Sequence, residues 1–407
     1  MTRAYKLACL TTHPIQYQAP LFRYLSADPA IDLTVLFLSD MSIREYHDRG
    51  FGVRVGWDVP LLEGYRHTFI PCLGRSDRLS IWRPLVYGLR RRLAAGGFDA
   101  IWLHGYAHQG MLRAIAVAKA LGIKVLLRGE SHLRCESRWL PALCAKHGLL
   151  PGLLRMMDGL LAIGTLNREY YLRYGVDPGR IFMTPYAVDN EFFRAQAERA
   201  RPVRERLRAE LGLEPGRPVI LYASKFLRRK RAGDLLEAYI RLSPDGKREP
   251  RPYLLFVGDG AERRHLEARA SALGWSSVKF VGFKNQTELP GYYDLCEVFV
   301  LPAEREPWGL VINEVMNAGK PVVATDEVGA AADLVIDGEN GFVVPVGDIA
   351  ALAERLRRLT AQPRLAAAMG ERSLRRIARW NFEADRRGLL AALGAVTSRN
   401  LLAGAVK

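Results

Sequence analysis

Short runs dominated by Val, Ile and Leu recur along this 407-residue chain between longer stretches with helical periodicity. That pattern is the signature of strands buried on both faces of a parallel sheet and joined by helices. In the first half it predicts strands over 6–10, 32–38, 100–103, 124–127, 159–163 and 181–184, and a helix through 112–121 typifies the connections. A highly charged stretch, 194–216, with Arg201-Pro202 and Pro215-Gly216, then interrupts the alternation. It restarts with strands over 219–223, 253–257, 279–281, 298–301, 321–324 and 341–344, and from Arg372 onward the pattern reads as helix to the end. The halves share this pattern but no residue-level repeat. The fold class expected is α/β, with two doubly wound, Rossmann-like domains facing each other across a cleft. The boundaries expected are an N-terminal domain over 1–195, a linker over 196–216, a C-terminal domain over 217–375, and a helical segment over 376–407 packing back on the first domain. Ligands of open α/β sheets sit beyond the carboxyl ends of the strands, so two such domains would hold a ligand between them.

Composition narrows the setting. Hydrophobic residues at 49% and charged residues at 25% exclude wholesale disorder. The greasiest stretch, 149–163, is broken by Pro151, Arg155 and Asp158, so no transmembrane helix is expected. The apolar core at 7–10 is too short for a secretory signal. Five cysteines without any C-x-x-C pair argue against a disulfide framework or a cysteine zinc site, and a reducing cytoplasm is expected.

Charge adds a partner. The net charge is +16, and residues 71–150 carry 13 basic against 4 acidic residues, whereas 1–70 and 151–200 are balanced. Arg83, Arg90, Arg91 and Arg92 interleave with Trp82, Leu85, Val86, Tyr87 and Leu89, a pattern compatible with an amphipathic basic helix lying on anionic lipid or with a solvated basic face. The first reading places the protein peripherally at the inner face of the membrane. A nucleic-acid-binding protein would also explain the charge, but no motif of that class accompanies it.

The chemistry concentrates between 301 and 326, where a strand runs into a loop holding Glu306, a helix starting near Gly309 carries Glu314, and a second strand follows Pro321. One carboxylate then stands at the loop mouth and the other about two turns on. Gly309 lets backbone approach closely, and the N–H groups of the first turn, around Leu310 and Val311, suit a phosphate. Carboxylates accept hydrogen bonds from sugar hydroxyls, so a nucleotide sugar would use all three features. Upstream, the sequence 223–231 follows a strand and packs Lys225, Arg228, Arg229, Lys230 and Arg231 into seven residues, which would read as a solvated basic turn if it stood alone.

In this strand, loop, helix and strand context the pattern resembles that of the retaining glycosyltransferases of family 4, which have the GT-B fold. The resemblance covers most of the chain and is strongest over 219–348. It implies that Glu306 contacts the donor sugar and Glu314 the ribose, and that Lys225 and Lys230, standing where the family has its Arg and Lys, neutralise the leaving diphosphate. Ser224 replaces the family's Gly in that loop. Gly258, after one strand, and Val281 to Phe283, after another, match family segments, the second of which usually holds the base through its main chain; Asp333 stands where the family has Glu.

The N-terminal half departs further from the family. Thr12-His-Pro-Ile-Gln-Tyr-Gln-Ala-Pro20 replaces a Gly-Gly loop, Arg128-Gly-Glu-Ser-His132 replaces a His-Asp pair, and Tyr186-Ala-Val-Asp189 replaces Asn-Gly-Val-Asp. A distinct subgroup is implied. Glu130 and His132 join Glu306, Lys225 and Lys230 as catalytic candidates, and His13, Gln16, Arg128 and Ser131 are candidates for the acceptor-facing wall; which residue stands for the family's His is left open. The resemblance further implies retention of configuration without an evident protein nucleophile, a nucleoside-diphosphate sugar as donor, no cofactor, and a glycan or lipid-linked hydroxyl acceptor of polysaccharide biosynthesis.

No Asp-x-Asp tripeptide occurs, so transfer without a metal is expected. His104 and His108 have the spacing of a helical metal pair, but the Glu of H-E-x-x-H is missing. A sugar-nucleotide epimerase would share the fold and convert the donor with no acceptor. A dinucleotide-dependent oxidoreductase would need G-x-G-x-x-G, and Gly258-Asp-Gly260 lacks the third Gly at Arg263.

Overall fold

A computed structural model describes residues 3–77, 79–136, 139–242 and 251–397. The chain forms two compact units: Met1–Tyr46, Val59–Val188 and Phe382–Lys407 make the first, and His47–Asp58 with Asp189–Asn381 make the second. Among the described residues no helix is long and apolar enough to cross a membrane.

The first unit is built on a seven-stranded sheet. Its strands are β1 (Tyr5–Thr11), β2 (Ile31–Phe37), β3 (His67–Phe69), β4 (Ala100–His104), β5 (Lys124–Arg128), β6 (Gly159–Ala162) and β7 (Ile181–Met183). They run parallel in the order β7-β6-β5-β4-β1-β2-β3, with Cys9 opposite both Val35 and Trp102. Alternate residues feed two cores. Leu7, Cys9, Val35 and Trp102 join Phe22, Leu25, Leu389 and Leu393 on one face, while Ala8, Leu10, Leu36 and Leu103 join Leu93, Met111 and Ile115 on the other. Burial on both faces explains why these strands read as continuous apolar runs. The helix Phe382–Thr397 covers the first of these faces.

The second unit holds six parallel strands: β8 (Val219–Ala223), β9 (Tyr253–Val257), β10 (Val278–Gly282), β11 (Val298–Leu301), β12 (Val322–Thr325) and β13 (Gly341–Val344). The order is β10-β9-β8-β11-β12-β13. The chain winds outward on one side of β8 and then on the other, so the strand order reverses between β8 and β11. Crevices form at such switch points.

Three expectations need correction. Residues 196–216 are not a linker: the chain enters the second unit at Asp189, whose side chain caps the helix Asn190–Ala200 by accepting from the amide of Phe192 at 2.9 Å. The helix Arg204–Glu210 follows, and Arg204 grips the buried Asp294 with two hydrogen bonds of 2.6 and 2.5 Å. Most of the charge there lies on helix faces turned to water, while Arg208 is buried and donates to the carbonyl of Arg217. Residues 82–92 are not one amphipathic helix either: Leu85–Val86 pairs with Cys72–Leu73 as an antiparallel hairpin, and helix begins only at Leu89. Leu89 and Leu93 point into the core, which uses up the apolar face of that helix. Last, the C-terminal pattern is two helices, Pro363–Ile377 and Phe382–Thr397, with a break between them.

Candidate active site

In the second unit the loops leaving β8 and β11 meet at the switch point, where the amide of Glu304 donates to the carbonyl of Arg229 at 2.8 Å. This backbone tie brings the basic turn Arg228–Lys230 against the Glu306 loop. Lys230 Nζ donates to Glu306 Oε2 at 2.6 Å, and Arg229 donates to the same oxygen at 3.0 Å. Lys230 is only 8% exposed. Burial pulls its pKa below the ordinary lysine value, and the Glu306 carboxylate offsets this only in part. Two cations converge on one carboxylate, so the crevice keeps an excess of positive charge for an anionic ligand.

The Glu306 loop is held from behind by the turn after β12. The amide of Glu306 donates to the carbonyl of Glu327 at 3.2 Å, Gly329 returns a bond to Glu306 at 3.0 Å, and Ala330 donates to Trp308 at 2.9 Å. The indole N–H of Trp308 donates to Asn313 Oδ1 at 2.9 Å, locking the loop to the helix Val311–Asn317. Gly309 has φ +92°, a conformation that disfavours any side chain. Glu314, on that helix, is 1% exposed and accepts a hydrogen bond from the hydroxyl of Tyr293. Tyr293 carries no local sequence signal, since it comes from a different helix, Leu289–Leu295. Leu310 and Val311 lie at the start of the Glu314 helix, both partly exposed. Asp333 is buried, and its carbonyl accepts from Arg376 at 2.9 Å.

Ser224, in the Gly position of the basic loop, bonds through its amide to the carbonyl of Val257 at 3.1 Å. The room comes from Gly258, φ +128°, where a Cβ would stand 2.0 Å from the Ser224 carbonyl oxygen. A glycine is therefore required where β8 and β9 end side by side. Lys225 continues this loop and makes an ion pair with Asp48 at 2.9 Å. Val281 lies in β10, and Phe283 follows that strand.

The first unit presents its own candidates at the carboxyl ends of β1, β4 and β5. His13 and Gln16 follow β1 and are partly exposed, and the His13 ring sits 2.9 Å from the Thr12 hydroxyl. Gln18 bridges Thr11 at 3.1 Å and the His104 ring at 3.2 Å. After β5, the exposed Glu130 accepts from the hydroxyl of Tyr186 at 2.9 Å. Ser131 lends its carbonyl to Asn167 at 2.6 Å. Arg128 does not belong to an exposed wall: its guanidinium is buried against Asp385, Trp102 and Tyr186 and donates to the carbonyl of Thr184 at 3.1 Å. His132 is buried too, with one ring nitrogen 2.9 Å from the Cys135 sulfur. His104 ends a strand and His108 caps the helix Gln109–Ala120, so their spacing is not that of a helical pair. Among the described residues no group of three or more His, Cys, Asp or Glu side chains could hold a metal ion.

Residues 203–376 match the profile of the family described as glycosyl transferases group 1. The putative glycosyltransferase EpsD of Bacillus subtilis (strain 168) is 32% identical over 351 residues, 80% of this chain and 88% of EpsD. The lipopolysaccharide core biosynthesis glycosyltransferase LpsE of Rhizobium meliloti (strain 1021) is 35% identical over 166 residues, 40% of this chain; the matched stretch spans only 46% of LpsE. Among solved structures, a glycosyltransferase from Rickettsia africae ESF-5 superposes with a TM-score of 0.73 at 14% identity, covering 98% of this chain and 100% of that one. Anabaena HepE, solved in complex with UDP, gives 0.71 at 18% identity, covering 96% and 100%. The fold of these structures is the GT-B fold, two Rossmann-like parallel-sheet domains, as described above for the two units. With EpsD alike over most of both sequences, the chain belongs to the group 1 glycosyl transferases.

Proposed function

We propose that the protein moves a sugar from a nucleoside-diphosphate sugar to a hydroxyl of a glycan or lipid-linked acceptor, with retention and without a metal ion. The observation that carries this reading is the meeting of Lys230 and Arg229 on Glu306 at the switch point of the second unit. A diphosphate arriving there meets cations already fixed in place, while Glu306 is held ready to accept from sugar hydroxyls. Glu314 would receive the ribose by exchanging its bond from Tyr293. As the bond to the sugar breaks, negative charge builds on the leaving phosphate. Lys230, protonated, stabilises that charge, and the phosphate takes the proton of the attacking hydroxyl. Positioning and electrostatics then carry the rate. UDP in HepE and the printed role of LpsE in lipopolysaccharide core biosynthesis support the donor and acceptor classes.

The charge of residues 71–150 enters the same proposal as a membrane contact of the first unit. The hairpin leaves Ile81, Trp82 and Tyr87 exposed, Trp82 by 73%, beside the exposed Arg83, Arg90, Arg91 and Arg92. An open groove of about 660 Å³ there is lined by Leu73, Trp82, Leu85 and Leu112 together with Arg83 and Arg113. An anionic leaflet carrying a lipid-linked acceptor matches both features.

Nucleotide release from UDP, GDP, ADP and TDP sugars, with and without a lipid-linked acceptor, tests the activity. Acceptor-dependent release supports it. Conversion of the donor at the same rate without acceptor would replace transfer by epimerisation or hydrolysis.

A further inference from the structure

Residues His47–Asp58 come early in the sequence yet belong to the second unit, where they form a strap over two loops of the proposed donor site. Tyr46–Asp48 and Val53–Val55 pair as a two-stranded sheet, and the turn between them is organised by Asp48, whose Oδ1 accepts from the amides of Gly50 and Phe51 at 2.7 and 2.9 Å. At one end of the strap Lys225 Nζ donates to Asp48 Oδ1 and Oδ2 at 2.9 and 3.0 Å and lies 4.6 Å over the Phe51 ring. The lysine runs close along Gly50, where a Cβ would stand 2.8 Å from Nζ. Phe51 also meets Phe283, with ring centroids 4.9 Å apart, and at the other end of the strap Trp57 meets the same ring at 6.4 Å. Asn285 donates to the carbonyl of Gly56 at 2.6 Å, and the amide of Thr287 donates to Asp58 at 3.1 Å.

The strap thus reaches from the lysine after β8 to the segment after β10, the span a nucleoside diphosphate would take along the carboxyl ends of β8, β9 and β10. Burial alone would raise the pKa of Asp48, but Lys225 and the two turn amides outweigh it and hold the carboxyl below its ordinary value. Asp48 is therefore an anion at neutral pH, bound by both oxygens to the lysine proposed to bind phosphate.

We propose that Asp48 stands in for the donor diphosphate on Lys225, so that the nucleotide must exchange with this carboxylate and the strap sets the affinity of the site. The inference rests on the donor reading above. A carboxylate and a diphosphate cannot both take the same ammonium at close range without repelling each other, so nucleotide binding releases the Asp48 end while the Trp57 contact with Phe283 and the bonds to Asn285 and Thr287 keep the other end in place. A site closed in most molecules weakens the apparent affinity by the fraction that is open.

The test is calorimetric titration of UDP, GDP and ADP, and of the matching nucleosides, into wild type, Asp48→Asn, Lys225→Ala and the double variant. Asparagine keeps an oxygen for the turn amides and removes the charge, and an unchanged thermal midpoint verifies the fold. Asp48→Asn is expected to tighten the preferred diphosphate about five- to tenfold, a range set by the partial exposure of the pair. It should leave the nucleoside unchanged and lose its effect when Lys225 is Ala. If Lys225→Ala weakens the diphosphate but Asp48→Asn does not tighten it, the ion pair is only structural and the inference falls alone. If Lys225→Ala leaves diphosphate affinity unchanged while nucleotide still binds, Lys225 does not hold phosphate and the inference again falls alone; if no nucleotide binds to any form, the donor reading falls and the inference with it. Should Asp48→Asn unfold, Phe51→Ala, which loosens the strap beside Lys225, must give the same phosphate-dependent tightening or the inference is overturned.

Discussion

The carboxylate of Asp385 lies 2.9 Å from the guanidinium of Arg128, with side chains 1% and 2% exposed. Arg128 closes the carboxyl end of β5, and Asp385 sits on the helix Phe382–Thr397 that covers one face of the first sheet. The Arg128 guanidinium also stacks 5.6 Å from the Trp102 ring centroid and 5.0 Å from that of Tyr186. Tyr186 in turn donates to Glu130. The pair therefore fixes the last described helix and, through one aromatic ring, a candidate catalytic carboxylate.

Removing one partner of such a pair strands the other as a buried charge, a loss of about 3–5 kcal/mol. Asp385→Ala should lower the stability of the first unit by that amount in denaturant unfolding. The double variant Arg128→Met with Asp385→Leu should lose less than either single change, because no charge is left without a partner. Wild-type stability of Asp385→Ala would show that solvent reaches this pair.

Glu306→Gln and Glu314→Gln should each reduce sugar transfer with the fold intact. Each removes a charged acceptor, and hydrogen bonds to charged groups are worth about 1.5–3 kcal/mol, so roughly ten- to a hundredfold losses are expected. Glu306→Gln also leaves Lys230 and Arg229 facing a neutral amide, and so should weaken turnover more than Glu314→Gln. Steady-state rates decide this, and full activity in both variants would remove these glutamates from the site.

Lys230→Ala should lower turnover by about a hundredfold or more, the usual cost of losing one fixed donor at a developing charge. Because burial lowers the pKa of Lys230, the lysine loses its proton at a lower pH than an exposed one. The protonated form is the active one, so kcat/KM should be flat on the acid side of this group and fall as pH rises through a value below the ordinary lysine range. Lys230→Arg should push that limb to higher pH. EDTA should leave turnover unchanged; loss on chelation with recovery on adding Mg²⁺ or Mn²⁺ would end the metal-free proposal.

The parts of this protein that were legible in sequence are those whose cause is local. Val219–Ala223 is buried at every position and reads as an apolar run. His67–Phe69 is three residues long and partly exposed, so the edge strand it forms has no periodicity to show. Glu306, Glu314, Gly309 and the basic loop stand out as candidates because a strand, a turn and a helix follow each other within a few residues. Asp48 does not: it reaches Lys225 across 177 positions, and an aspartate in a turn has no mark of its distant partner. Arg128 reads as a wall residue for the same reason, since Asp385 is invisible from the strand end that displays the arginine. Residues 196–216 read as a linker because their defining contact, Arg204 with Asp294, spans 90 positions.

The membrane proposal makes a prediction that separates the two halves of the surface involved. The helix Leu89–Gly96 spends Leu89 and Leu93 on the core, so its arginines can attract an anionic leaflet but supply no apolar contact of their own. Insertion falls to the hairpin, whose tip carries Ile81 at 59% and Trp82 at 73% exposure. Surface attraction contributes about 1 kcal/mol per basic residue and decays within a Debye length, so a variant with Arg83, Arg90, Arg91 and Arg92 changed to Gln should lose binding to anionic vesicles at low salt. Trp82→Ser should behave differently: initial attraction survives, but the salt-resistant fraction of binding is lost, because an indole seated at the headgroup level is not screened by ions. Liposome sedimentation at low and high salt, on anionic and neutral vesicles, measures both. Equal binding to the two vesicle types, or no effect of the four arginine changes, would return this segment to ordinary solvated surface.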